Sequence, residues 1–598
     1  MSVAAAPPSV PTPADGVRDA EPTTSRRGLA RGVIGGLAVA AVAPLVTAEE
    51  AEAVTRAHRR KCKHWHRCAR HRWHTCRHKH RCKHRFHKAK PPATTDPGTP
   101  ETPVDPPPVD PPPVDTGDPD FVVSPIPTAE SLHLGNRFTY GMTPALHAQM
   151  KKHGSPQAWF EAQLNPSAIG DAKADAMQTW WLSINLDATA IAQRDKDEIE
   201  GGWMAMANYA RWCLLRRIYS QRQVLEVMAE FWENHLHIPL NDDGVYTYRA
   251  DYGKVIRSHA LGRFDQMLRA AITHPAMGIS LDNARSTKKA PNENLGRELL
   301  ELHTVGRGNH TEDDVKNSAR ILTGYRVELW TTWRSYYDLN SHWTGPVRVL
   351  DFTHPNADAD GRAVTDAYLT YLAKHPRTAE RIARKLATRF VSDSPSEALV
   401  SRLADVYLAS DTAIKPVLLA LVASEEFKAS AGLKVRTPTD DVVATHRVMR
   451  TEIAKPVDDN STANSMLWQT TAIGHSPFAW ARPDGPPERA GAWSSTSRLL
   501  ASFDIHYSMA GGWWPKKDAT YPTYASWLPA PTVRFDAFVD HLSRQVLGKA
   551  APARLVQACS EAVGVAPATS VDKDHAVARW KFPLLLTTLL DTPDHLHR

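Results

Sequence analysis

From about residue 125 onward, apolar residues recur every three or four positions, the spacing that gathers them on one face of a helix. The pattern holds over 145–164, 205–231, 255–272, 365–390, 396–408 and 413–427, and again over 442–453, 535–547, 553–563 and 577–590. Start signals fit in places. Ser396 precedes Glu397, and Thr311 stands three residues before Asp314, the arrangement of a capping box. One stretch, 326–352, breaks the helical period. Val327-Glu328-Leu329-Trp330-Thr331-Thr332-Trp333 and Val347-Arg348-Val349-Leu350-Asp351-Phe352 are rich in aromatic and β-branched residues. With a turn around Thr344-Gly345-Pro346 they predict a hairpin set among helices. The expected fold class is mainly α: a large multi-helix body with a small β-hairpin insertion, preceded by a disordered N-terminal region.

That N-terminal region has three parts. Arg26-Arg27-Gly28-Leu29 precedes the apolar run 33–46, and Ala51-Glu52-Ala53 follows. Basic, apolar and small-residue segments in that order read as an export signal over 1–53. The paired arginines match the twin-arginine type, which exports folded proteins. Residues 54–90 hold 15 Lys/Arg and no acid, and 91–120 hold 7 acids, no base and twelve prolines. Such a tract prefers polyproline II and spaces its two ends apart, so 91–124 reads as a linker. The chain's net charge of +7 thus misleads, because 121–598 has 53 basic against 52 acidic residues. A near-neutral body argues against nucleic acid as its ligand. No 18-residue apolar run follows the first 50 residues, so no transmembrane span is expected in the mature chain. The expected organisation is 1–53 signal, 54–90 basic Cys/His-rich segment, 91–124 linker and 125–598 helical body. The expected location is outside the cytoplasm, secreted or in the cell envelope.

Within the basic segment Cys62-Lys63-His64-Trp65-His66-Arg67-Cys68 recurs as Cys76-Arg77-His78-Lys79-His80-Arg81-Cys82. Thiolate and imidazole suit a transition metal, which makes Cys62, His64, His66, Cys68, Cys76, His78, His80 and Cys82 candidate ligands. Two other readings stay open. The cysteines of each repeat can close a small disulfide loop, and the interleaved Lys and Arg suit an anionic wall polymer. In the body, Cys213 and Cys559 read as buried thiols.

Catalytic signatures of the common kinds are missing: no H-E-x-x-H, P-loop, G-x-G-x-x-G or G-x-S-x-G occurs. The densest polarity lies in Asn292-Glu293-Asn294-Leu295-Gly296-Arg297-Glu298-Leu299-Leu300-Glu301-Leu302-His303-Thr304. On an α-helix Leu295, Leu299 and Leu302 share one face, while Asn294, Arg297, Glu298 and Glu301 share another. His303 falls well away from Glu298. Two carboxylates one turn apart can hold a hard cation or move protons. An Arg297–Glu301 pair is the plain structural alternative. A second cluster, Phe231-Trp232-Glu233-Asn234-His235-Leu236-His237, runs on to the helix-stopping Pro239. His235 and His237 reach one metal only on extended backbone, and otherwise bond carbonyls.

Taken in order, these segments resemble the DUF1800 family of large exported bacterial proteins. The resemblance rests on His133-Leu134-Gly135-Asn136-Arg137-Phe138-Thr139-Tyr140-Gly141, the FWENHL run from Phe231, and Arg257-Ser258-His259-Ala260-Leu261-Gly262. It continues through HPAM at His274, Leu281-Asp282-Asn283, NENLGRELLELHTVG from Asn292, ARILTGY ending at Tyr325, Ala383-Arg384-Lys385-Leu386, and Gly474 to Gly485. Tyr325 stands where the family usually has Trp, and His354-Pro355-Asn356 replaces its usual His-Asp. The resemblance implies a helical fold and export, and it brings no agreed activity or catalytic residue. Two functions remain open. One is an extracytoplasmic enzyme, with Glu298 and Glu301 as acid/base or ligands, assisted by Asn294, His235 and His259, and a divalent transition metal as candidate cofactor. The other is a surface binding or scaffold protein, held to wall polymer or metal by residues 54–90 and open to a protein partner.

Overall fold

The computed structural model describes residues 121–598 apart from Asn241. The export signal, the Cys/His segment with all eight of its candidate ligands, most of the linker and the disorder expected there lie outside the described residues. Phe121 already packs in an apolar core, four residues ahead of the expected start of the body.

Helices dominate, as the apolar spacing predicts. Five of the periodic stretches are each two α-helices, 413–427 among them with its break at Ser424, because local chemistry breaks them. In 145–164 the break falls at Gly154, with φ +83°, and Pro156, where Ser155 caps the next helix. In 365–390 it falls at His375, whose backbone is extended ahead of Pro376 and whose ring accepts the Arg377 N–H. The stretches 205–231 and 255–272 divide likewise at Ser220 and around Gly262. The elements that build the site and its support are α1 (Gly202–Tyr219), α2 (Gln223–His235), α3 (Arg249–His259), α4 (Glu293–Glu298), α5 (Glu312–Ile321), α6 (Pro376–Phe390), α7 (Pro438–Val448), α8 (Thr496–Ala510) and α9 (Phe582–Leu590). Both expected caps are present: Ser396 accepts the Leu399 N–H, and Thr311 with Asp314 forms a full capping box on α5.

The β-region differs from a single hairpin. Strand β1 (Tyr325–Val327) pairs with β2 (Ser335–Tyr337), and β3 (Val347–Val349) pairs with β4 (Phe352–His354), both antiparallel. The aromatic run 327–333 therefore folds back on its own neighbour instead of crossing to 347–352. Trp330 and Trp333 turn it with φ of +65° and +60°, and Leu350, at +53°, turns the second pair. Periodicity cannot see these left-handed turns, since none uses glycine.

The larger core is built on α2, whose Val224, Val227, Met228 and Trp232 are wholly buried, and on α6, where Phe390 stacks on Phe138 at 4.4 Å. A smaller core surrounds Phe535, Phe582, Leu586 and Leu589 of α9 and its neighbours. Buried charges join these elements. Glu230 of α2 receives Arg217 of α1 at 2.9 Å and Arg389 of α6 at 3.2 Å, and Arg389 also meets Glu488 at 3.1 Å. Breaking one partner of such a network strands the other in a low-dielectric interior, at about 3–5 kcal/mol. Cys213 and Cys559 are buried free thiols. Among the described residues no helix is long and apolar enough to cross a membrane.

Candidate functional site

Four chain segments converge at the C-terminal end of α2. The helix stops at His235, whose successor Leu236 leaves helical geometry while its N–H still closes on the Trp232 carbonyl. The stop comes four residues before Pro239. From there His237 Nε2 donates to the Trp480 carbonyl at 2.7 Å, so His235 and His237 both bond backbone and do not share a ligand. The second segment is the continuation of α4. Gly296 lets α4 lie directly on α5, where a Cβ would come within 2.9 Å of the Ala319 nitrogen. Residues Leu299–His303 then widen into a π-helix. Leu295, Leu299 and Leu302 are buried, as the α-helical phase predicts. The helix ends here, which leaves the carbonyls of Leu302 and His303 open to tertiary partners, and π-turns of this kind recur at functional sites.

Both freed carbonyls are used. His235 Nε2 donates to the His303 carbonyl at 3.1 Å, and His303 Nδ1 donates back to the His235 carbonyl at 3.1 Å, with the rings edge-on. Because a carbonyl only accepts, the His235 proton is fixed on Nε2 and Nδ1 carries the lone pair. That lone pair faces Lys385 of α6, whose Nζ donates to it at 3.0 Å. One turn earlier on the same face of α6, Arg381 Nε donates to the Leu302 carbonyl at 3.0 Å. Among the described residues, neither Lys385 nor Arg381 has a carboxylate within ion-pairing distance.

The electrostatics follow from this enclosure. Lys385 is half-buried, and burial, then Arg381, holds it down at about 8 against a smaller upward pull from Glu488 and Asp484. His235 lies well below the usual imidazole range, first through burial and then through Lys385. His303 is pushed down to about 3, chiefly by burial. Glu298 is half-buried, and its Oε2 is shut from solvent with no hydrogen-bond partner among the described residues. Burial and then the neighbouring Glu301 raise its carboxyl, while Arg307 and Arg297 oppose the rise. Glu301 is engaged, with Arg307 at 3.1 Å, His310 at 3.8 Å and Arg297 at 4.0 Å. The main partners of Arg297 are Glu312 at 2.7 Å and Glu293 at 3.3 Å.

The fourth segment is the loop at Asp484. Trp480 Nε1 donates to Asp484 at 3.0 Å, and Gly485, at φ +73°, seats the loop against α2. A Cβ at Gly485 would lie 2.0 Å from the Asn234 carbonyl oxygen, so only glycine permits this approach. Between this loop, α6 and the turn after the π-helix opens a cleft of about 500 Å³, walled by Arg307, Arg377, Arg381, Arg384, Glu380 and Asp484. Arg384 is neutralised by Glu397 at 2.6 Å and Arg307 by Glu301, which leaves Arg377 and Arg381 without a carboxylate among the described residues. Glu298 feels two of the lining residues, Arg307 and Asp484.

The structure thus brings His235, Glu298 and Glu301 to one region. It does not bring the other two expected residues. Asn294 sits in the first turn of α4, where its N–H meets the Asn292 side chain, and His259 ends α3 half-buried. Neither side chain bonds to Glu298, Glu301 or His235; the end of α2 meets α3 instead through Glu233 with Arg249 at 2.8 Å and through the Leu236 carbonyl, which accepts the Tyr252 hydroxyl at 2.6 Å. Sequence reasoning missed Lys385, Arg381 and Asp484. A lone Lys or Arg on an amphipathic helix reads as solvated surface, and only the four-residue spacing of 381 and 385 hinted at a shared face. Ser476, in the half-formed elbow Gly474-His475-Ser476, bonds Thr470 and Thr471 and has no histidine partner among the described residues.

The segments that converge here, FWENHL, NENLGRELLELHTVG, ARKL and the loop through Gly485, are among those that carried the resemblance. No curated protein and no solved structure matches the chain. The family described as "Protein of unknown function (DUF1800)" matches residues 133–597, nearly the whole described body, and the chain belongs to that family.

Proposed function

We propose that this protein is an exported enzyme that holds an anionic substrate in the arginine-walled cleft and acts on it by proton transfer. The observation that carries the reading is a pair of cations in the cleft wall, Arg377 and Arg381, without a carboxylate within ion-pairing distance among the described residues. Two uncompensated cations one helical turn apart in a partly enclosed site favour a bound anion. Glu298 supplies the acid. Its enclosed oxygen and upward shift favour the neutral, proton-donating form. Glu301 orients Arg307 at the mouth. Asn294 and His259 have no place in this scheme. Export rests on the Arg26-Arg27 signal and its apolar run.

Calorimetric titration of the full chain with inorganic phosphate tests the anion site. Arg381→Gln should weaken binding at least tenfold, and an unchanged affinity contradicts the reading. On a panel of anionic esters, Glu298→Gln should cut kcat by about 10²–10⁴ with KM nearly unchanged. Equal turnover by both chains removes Glu298 from the chemistry.

A second role is compatible and rests on composition. The 15 unopposed cations of 54–90 suit attachment to an anionic wall polymer, with the acidic linker as a spacer. A chain lacking 54–90 should leave the envelope in a low-salt wash, and retention as firm as that of the full chain contradicts the role.

A further inference from the structure

Away from the cleft, α7, α8 and the C-terminal segment meet around a carboxylate that takes no part in the proton-transfer scheme. Asp441, His506 and His595 are 1%, 1% and 3% exposed, deep in the interior. Each reaches the same point from a different part of the chain, and one nitrogen or oxygen from each lies within 4.8 Å of the others.

The arrangement has a direction. Oδ2 of Asp441 is taken by Arg498 at 2.9 Å and Ser502 at 2.8 Å. Oδ1 is left facing His506 Nε2 at 3.1 Å and His595 Nε2 at 3.8 Å. Behind the His506 ring, Nδ1 meets Asp591 at 2.7 Å. A carboxylate on the outer nitrogen of an imidazole is the support that metal-bound histidines carry, because it fixes the ring and raises the basicity of the inner nitrogen. For a four-coordinate ion with bonds of about 2.0–2.2 Å, neighbouring ligand atoms stand about 3.4 Å apart. The two separations from Asp441 Oδ1 bracket that value. Thr445 Oγ1 lies 3.1 Å from His595 Nε2 and donates to the Asp441 carbonyl.

We propose that Asp441, His506 and His595 bind one divalent transition-metal ion of the zinc class, oriented by Asp591 and Arg498. Two imidazoles and one carboxylate are borderline ligands that suit such an ion over calcium or magnesium. Full burial gives the ion a structural role, which is to fasten the C-terminal segment to α7 and α8. The protein bonds already present on that segment run the same way: Arg436 Nε donates to the His595 carbonyl at 2.7 Å, and Arg598 meets Asp440 at 3.2 Å. Binding displaces the proton that otherwise lies between His506 Nε2 and Asp441, so uptake releases protons.

The test compares metal content in the full chain and in His595→Gln and His506→Gln, all prepared with the same zinc supply. The Cys/His segment is common to all three and cancels in the difference. Each variant should carry one zinc fewer than the parent. Asp591→Asn keeps all three ligands and should weaken zinc binding about 10–100-fold. Equal zinc in all chains, with near-ultraviolet dichroism unchanged, overturns the proposal and leaves a protonated His506 between two carboxylates. If the histidine variants do not fold, the parent decides alone. Stripping with a chelator should lower its Tm and added zinc should restore it, and a Tm indifferent to both overturns the proposal.

Discussion

Replacing Lys385 by Met is the sharpest perturbation of the site, because its effect on stability depends on pH in a way that no packing change imitates. An ordinary lysine titrates near 10.5, and in the fold Lys385 is held at about 8 by burial and by Arg381. At about 1.4 kcal/mol per tenfold change in proton affinity, keeping the ammonium inside costs the folded chain about 3 kcal/mol. The cost applies in full below pH 8, where both folded and unfolded chains are protonated. Between pH 8 and 10.5 the unfolded chain holds the proton and the folded chain does not, so stability rises with pH and the cost disappears. Met keeps the stem and removes the charge. It also strips His235 Nδ1 of its donor, a loss of about 1–3 kcal/mol that does not vary in this window, because His235 stays neutral throughout. The variant should therefore match the parent at pH 7, or exceed it by up to about 2 kcal/mol, and should fall about 3 kcal/mol relative to the parent by pH 10.5. Urea unfolding of both chains across pH 7–10.5 measures the difference directly. A constant offset between them would refute the assignment of Lys385 as a desolvated cation without an ion-pair partner.

Other consequences arise from the same geometry. Glu298→Gln should leave stability unchanged below pH 4 and raise it at pH 7, since a carboxyl shifted upward destabilises the fold only once ionised; equal unfolding curves at pH 7 would contradict this. Gly485→Ala combines a left-handed backbone with a 2.0 Å overlap on Asn234. It should cost about 2 kcal/mol or more and release the Asp484 loop to proteolysis, whereas unchanged protection argues against the packing. Leu299→Ala, in the fully buried wall of the π-helix, should cost about 2–5 kcal/mol by denaturant unfolding. In the reduced, folded chain at most four of the six cysteines should react with a thiol reagent at pH 8. Burial pushes both Cys213 and Cys559 up to about 12, and their labelling before denaturant would contradict it.

Much of this fold is written in residue spacing, and the parts that are not have identifiable causes. Helices such as Glu397–Ala409 are legible because Ser396 caps them and Leu399, Val400 and Leu403 mark one face. The paired hairpins escape because their turns are made by Trp330, Trp333 and Leu350, residues that carry no turn signal. The site is half legible. Glu298, Glu301 and His235 stand out as polar residues beside apolar runs, and the helix of the two glutamates runs on to the His303 carbonyl that His235 bonds. Lys385, Arg381 and Asp484 become significant only when α6 and the 480–488 loop fold onto the end of α2, more than a hundred residues away in the chain. The π-turn is equally silent in the sequence, since Leu299–His303 has the composition of an ordinary helix. The buried Asp441–His506–His595 cluster lies beyond any local pattern, with its members spread over about 150 residues.

Reception of an anion in the cleft beside Arg381 is the property on which the proposed chemistry depends. A crystal structure of the full chain grown with tungstate, whose anomalous signal locates it without ambiguity, tests this most directly. The expected result is the oxyanion within hydrogen-bond distance of both Arg377 and Arg381, and its loss in Arg381→Gln. Tungstate bound elsewhere on the described body while this cleft holds only water would contradict it.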